Sequence, residues 1–208
     1  ASQTIRVRSL HCKPGSTFRS RTESGVKHVL TIKDDPAGGA VRLEGDVDIV
    51  GPTRTPFVRL ATAPRKGDQV LSLNTSPFGW QPGDRLVLPD TREVGEAERW
   101  GNYVPQWERV TIASVDGNTV GLSAPLQFDH PGRAEFLPHV GNLTRNVVIK
   151  SENSAGNRGH VTITGSGSVS IRNAQFAGLG RSTAADWNDK YPVGRVDHTG
   201  EFLMEGCV

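Results

Sequence analysis

Cysteine is almost missing from this chain: only Cys12 and Cys207 occur, one near each end. A solenoid would hold those ends far beyond the roughly 7 Å limit on Cα separation in a disulfide, so no bridge between them is expected. No sign of charge dominates, because 24 Lys and Arg oppose 22 Asp and Glu for a formal net charge of +2. That balance leaves no electrostatic footprint for nucleic acid or an anionic membrane. No apolar run approaches the roughly 18 residues that suggest a membrane span. The start Ala1-Ser2-Gln3-Thr4 lacks the charged and apolar regions of a signal peptide, so the chain reads as soluble and already processed. Also missing are a Gly-rich phosphate loop, a nucleophile elbow and a Cys/His nucleophile pattern, which leaves nucleotide hydrolysis and acyl transfer without support.

Methionine occurs once, against 24 Gly and 13 Pro, a turn-rich composition with little helix. Short alternating runs closed by Gly, Pro, Asn or Asp predict strands, among them Val29–Lys33, Ala40–Glu44, Val47–Val50, Gln69–Leu73, Arg85–Leu88, Arg109–Ile112 and Thr119–Leu122. Pro82-Gly83-Asp84 suits a turn with Pro at its second position, and Asp116-Gly117-Asn118 supplies the positive φ of a hairpin from Val110 to Leu122. Phe78 and Trp80 are the expected core anchors of this antiparallel unit. Glu108 is expected to pair with Arg85 or Arg109 on neighbouring strands.

From Asn146 onward, Asn146–Lys150, His160–Thr164 and Ser168–Arg172 follow one another with only Gly, Ser and Asn between, as successive faces of coils do. Val147 and Val169 are spaced about as far apart as one rung of a solenoid, with the next rung expected at Tyr191 to Val196. Val148, Val161, Ile163, Val169, Ile171 and Phe176 are the expected inward residues, and Asn173 a corner. Gly165-Ser166-Gly167 would also serve as a hairpin turn, so a β-sandwich remains the competing architecture. Asn74-Thr75-Ser76 and Asn142-Leu143-Thr144 fit the N-glycosylation tripeptide.

Trp80–Leu88, Glu108–Ile112, Leu122–Leu126, His130, Gly141–Ile149 and Ile171–Arg181 together resemble the G-eight (G8) domain and the β-helix that follows it. The resemblance covers most of the chain, from Gly45 to His130 and from Asn142 to Gly180. It implies an all-β fold, a right-handed parallel β-helix with an antiparallel β insertion or N-terminal β unit, divided as a G8-like domain over 1–140 with a hairpin at 109–123 and coils over 141–208. It also implies a secreted or cell-surface setting and a glycan partner. Hyaluronan-cleaving members continue into Tyr-Pro-Val-His-Phe-His, whereas this chain reads Tyr191-Pro192-Val193-Gly194-Arg195-Val196, so the paired histidines are absent.

The longest non-periodic segment, Thr91 to Trp107, concentrates Trp100, Tyr103 and Trp107 with Arg92, Glu93, Glu96, Glu98 and Arg99. Aromatic faces with charged neighbours are what a sugar ring requires, since its C–H face stacks and its hydroxyls bond at the rim. The leading expectation is a polysaccharide-binding module using Trp100, Tyr103, Trp107, Arg99 and Trp187. The alternative is a polysaccharide-degrading enzyme in which Glu96, Glu98 and His198 do acid and base work. A third reading is a structural surface segment that self-associates through an exposed β-helix end. No cofactor is expected. The weaker metal candidates are zinc at His160 and His198 with an aspartate, and calcium at Asp186 to Asp189.

Overall fold

The computed structural model describes residues 1–93, 95, 103–133, 135–165 and 167–180, together with the backbone of 201–204. The described residues contain strands and turns without helix. They form two compact units, 1–52 with 145–208, and 53–144. The division is discontinuous, unlike the expected break between 140 and 141. Residues before 53 belong with those after 144 because their strands pair in register.

The first unit is a stack of coils, each contributing one strand to each of three parallel sheets. β1 (Gln3–Val7), β2 (Ser9–Cys12) and β3 (Thr17–Arg21) make the first coil, and β4 (His28–Ile32), β5 (Ala40–Leu43) and β6 (Asp46–Val50) the second. The third coil comprises β13 (Val147–Ser151), β14 (His160–Ile163) and β15 (Val169–Arg172), and β16 (Ala174–Ala177) begins the fourth. β17 (Glu201–Met204) pairs antiparallel with β16. The remaining pairings are parallel, β1-β4-β13-β16, β2-β5-β14 and β3-β6-β15. Gly165 and Gly167 therefore lie at a corner between two sheets, which rules out the sandwich.

Gln3 stands beside His28 and Val147 beside Ala174, so one coil takes roughly 25 residues, within the solenoid range. Val147 and Val169 are thus on different faces of one coil, a correction to the expected rung. Inward residues stack from coil to coil, as in Ile5–Leu30–Ile149–Phe176 and Leu10–Val41–Val161. Val147 and Ile149 join the core cluster with Ile171 and Phe176, so the inward phase of β13 is one residue out from the expected Val148. Ile163 and Val169 occupy inward register positions but are 37% and 52% exposed, since each is on the last described strand of its sheet. Asn173 does mark a corner, at φ 52°, with its Nδ2 3.4 Å from the Gly51 carbonyl of the coil beside it. At the opposite end a cavity of about 120 Å³ is lined by Ile5, Leu10, Phe18 and Leu30, with Ser20 Oγ 3.1 Å from His28 Nδ1. Cys12 is buried in this unit's core.

The second unit is a six-stranded antiparallel sheet, formed by β7 (Phe57–Arg59), β8 (Val70–Ser72), β9 (Arg85–Leu88), β10 (Glu108–Asp116), β11 (Thr119–Leu122) and β12 (His139–Asn142). Its order is β7-β12-β9-β10-β11-β8, and bonds from Ala61 N to Ser72 O and from Asn74 N to Arg59 O join its two ends into a small barrel. Closure removes the free edges that an open sheet would expose. The predicted hairpin is β10–β11, with Gly117 at φ +53°. Gln81 to Asp84 forms the predicted turn, with Asp84 N bonded to Gln81 O and Gly83 at φ +88°. Period-two alternation sends Val58, Leu86, Leu88, Val110 and Val140 inward, with Trp80, to a core separate from that of the coils. Phe78 is 69% exposed and is not the core anchor expected of it; Trp80 alone is, its Nε1 donating to Thr55 O at 2.6 Å.

Candidate functional site at the barrel rim

The motif residues that carried the family resemblance prove to be largely structural. Asp84, from the Pro-Gly-Asp turn, accepts from buried Arg54 Nη1 at 2.8 and 2.7 Å and from Asn142 Nδ2 at 2.9 Å. Asn142 Oδ1 accepts in turn from Thr144 N at 2.8 Å. A buried ion pair is tolerable when hydrogen bonds satisfy the remaining polar atoms, as here. Asn142 is 2% exposed, so its glycosylation tripeptide is inaccessible in the folded chain, whereas Asn74 is exposed.

Glu108 likewise points inward. It accepts from Gln127 N and Phe128 N and is hydrogen-bonded to His130 Nε2 at 2.9 Å, while His130 Nδ1 donates to Pro89 O at 2.7 Å. Both imidazole nitrogens thus have an oxygen partner inside the barrel. The expected pairing with Arg85 or Arg109 fails for a simple reason: β9 and β10 send those arginines to the outer face and Glu108 to the inner one.

What stands at the surface is the base of the long loop. Asp90, just after β9, accepts from Arg92 Nε at 3.1 Å and Nη2 at 2.8 Å, from Tyr103 Oη at 2.6 Å and from Gln106 N at 2.7 Å. The Arg92 guanidinium, opposed by burial and then aided by the Tyr103 hydroxyl and backbone N–H groups, holds the Asp90 carboxyl far below the usual carboxylate range. The hydrogen bond to Asp90 in turn raises the Tyr103 phenol above its ordinary value. Arg92 also bonds Val104 O at 2.8 Å and lies 5.5 Å from the Tyr103 ring centre. The result is a clasp joining the start of the loop to its end.

Beside the clasp, Trp107, the residue that precedes β10, is 43% exposed, and the Arg109 guanidinium sits 5.3 Å from its ring centre. One face of an indole is thereby occupied by a cation while solvent still reaches the side chain. Tyr103, 38% exposed, lies at the same rim. These two are the expected ligand-binding residues that the structure describes. Trp100, Arg99, Trp187, Glu96, Glu98 and His198 lie outside the described residues. Asp90 and its clasp were not singled out from sequence; the only signal was Asp90 two residues before Arg92, a pairing that spacing alone does not distinguish from solvated charges.

Chemically, the clasp positions rather than reacts. A carboxyl held ionised by Arg92 has no proton to give as a general acid. Glu93 is 94% exposed and lies 3.6 Å from Arg133, and Glu108 is enclosed. Among the described residues no group of three His, Cys, Asp or Glu is placed to hold a metal ion. Nor, among the described residues, is any helix long and apolar enough to cross a membrane.

No family model matches the chain. Human fibrocystin-L (Homo sapiens) is 35% identical across 93% of this chain, and the mouse protein of that name (Mus musculus) 28% across 93%. A G8 domain-containing protein of Dictyostelium discoideum is 31% identical over 59% of it. The chain spans only 4% of human fibrocystin-L and 10% of the Dictyostelium protein. Among solved structures, the tailspike of Pseudomonas phage phi297 aligns over 83% of the chain and 27% of its own, with 12% identity and a TM-score of 0.37. A tailspike of Acinetobacter baumannii bacteriophage AP22, solved with a capsular saccharide, covers 83% and 29%, at 19% identity and a TM-score of 0.32. Scores of that size carry no argument about this chain. Its similarity to fibrocystin-L and to G8 domain-containing proteins, over most of its own length, is what places the chain in the G8 domain family.

Proposed function

We propose that this chain is an extracellular, polysaccharide-binding β-helix module that takes its glycan at the barrel rim, on Trp107 and Tyr103, with Trp100 and Arg99 of the same loop contributing by sequence. The observation that carries the reading is Trp107, a large aromatic left 43% exposed and braced by Arg109 beside the Asp90 clasp. An indole fixed in this way stacks on a sugar's C–H face with little ordering cost, because its rotamer is already restricted. The coils wind right-handed in this reading, the hand that nearly all parallel crossover connections take.

The test is retention of the purified chain on a panel of polysaccharides, with product analysis of the same samples. Wild type is retained, and Trp107→Ala weakens retention about tenfold, the loss of one good stacking contact. Undiminished retention of the Trp107→Ala protein would remove the aromatic rim from the reading. Release of oligosaccharides would replace binding with cleavage.

A further inference from the structure

The outer wall of the barrel carries a second feature that rim residues do not explain. Cross-strand register sets Phe57, Gly141, Val87 and Arg109 in one row across β7, β12, β9 and β10. Three interstrand steps of about 4.8 Å make that row roughly 14 Å long. Trp107 lies beside its Arg109 end, two residues earlier in the chain, with the guanidinium 5.3 Å from its ring centre. At the other, Phe57 is 58% exposed and meets His139 edge-on, ring centres 5.4 Å apart. Gly141, between them, has no side chain to interrupt the row. The wall thus has two exposed aromatic stations with a low saddle between.

Its charge is one-sided. The outward positions of β7, β12, β9 and the first half of β10 are Phe57, Arg59, His139, Gly141, Arg85, Val87, Arg109 and Thr111, which include three arginines and no carboxylate. Arg59 and Arg85 are exposed, and the acids of neighbouring sequence, Asp84 and Glu108, are turned into the barrel and engaged there. The whole chain is close to neutral, so this local excess of cations comes from strand alternation and not from composition.

We propose that this wall is the binding surface for an acidic polysaccharide, with Phe57 as a second stacking station and Arg59 and Arg85 pairing with the polymer's carboxylate or sulfate groups. Guanidinium forks suit such groups bidentately, and an extended polymer is the ligand form that reaches both aromatic ends at once. The inference rests on the glycan-binding reading above and adds to it a location, a direction across the strands and a charge requirement.

The experiment compares retention of the full chain on polygalacturonate, an acidic polymer, and on dextran, a neutral one, for wild type, W107A, F57A and the double variant R59Q/R85Q. All four positions are solvent-exposed, and thermal melts confirm that each variant is folded. Wild type should prefer polygalacturonate, with the preference falling as salt rises. R59Q/R85Q should bind polygalacturonate about tenfold more weakly while dextran retention is unchanged, and F57A should weaken both. If W107A loses retention while R59Q/R85Q and F57A keep it, the wall proposal is overturned and the rim reading stands. If wild type is retained on neither polymer, both fall.

Discussion

Asp90 and Tyr103 illustrate how one hydrogen bond links two titrations at opposite ends of the pH scale. Asp90 is depressed, so its contribution to the clasp is present above the ordinary carboxylate value of about 3.9 and is lost only as pH falls through its lower folded value. Tyr103 is raised, so its contribution is complete below the ordinary phenol value of about 10 and is lost as pH rises through its higher folded value. The clasp therefore holds unchanged between those limits. The chain has two tyrosines, which makes the claim measurable. In Tyr191→Phe, absorbance titration should show the remaining phenol ionising above about 10, and adding Asp90→Asn should bring it back towards that value. An ordinary value in the single variant would contradict the clasp.

At the scale of elements, the parallel coils depend on corners as much as on strands. Gly51 follows β6, and a Cβ there would run into the Asn173 carbonyl oxygen of the adjacent coil, so the two corners nest only because one of them is glycine. Asn173 takes the left-handed conformation beside it, which Asn tolerates better than other side-chain-bearing residues. Gly51→Ala should destabilise the coils by about 1–3 kcal/mol, the cost of forcing an extra methyl into a packed site, read as a lower denaturant midpoint with unchanged slope. An unaltered midpoint would mean that the corner yields freely. The barrel relies on different chemistry, a Pro-Gly turn and an Asp-Gly-Asn hairpin whose φ requirements are written locally.

At the scale of the molecule, two cores share one chain, with the barrel inserted between the second and third coils. The barrel closes its own sheet and buries its own aliphatic set, so residues 53–144 expressed alone should fold cooperatively, with dispersed amide signals and a single thermal transition. A broad, non-cooperative melt would show that the coils are needed to complete it. In the first unit β1, β2 and β3 are the outermost described strands of three sheets, and Ile5 is 53% exposed there despite its inward register.

Alternation, turn residues and the absence of helix signals determined most strands from the sequence alone, as well as the β10–β11 hairpin and Trp80 as a core residue, because these depend on contacts between near neighbours. The aromatic rim was legible as an unusual cluster in a long loop. Only the tertiary structure decided that Val147 pairs with His28 and Ala174 and not one rung away at Val169, since parallel register is set by strands more than a hundred residues apart in one case. It also decided the fate of neighbours in sequence: Glu108 goes inward to His130 while Trp107 and Arg109 go outward, and Phe78 remains in solvent two residues before buried Trp80. Residue type sets what a side chain is able to do, but which face of the barrel receives it depends on a strand phase that long-range pairing alone establishes.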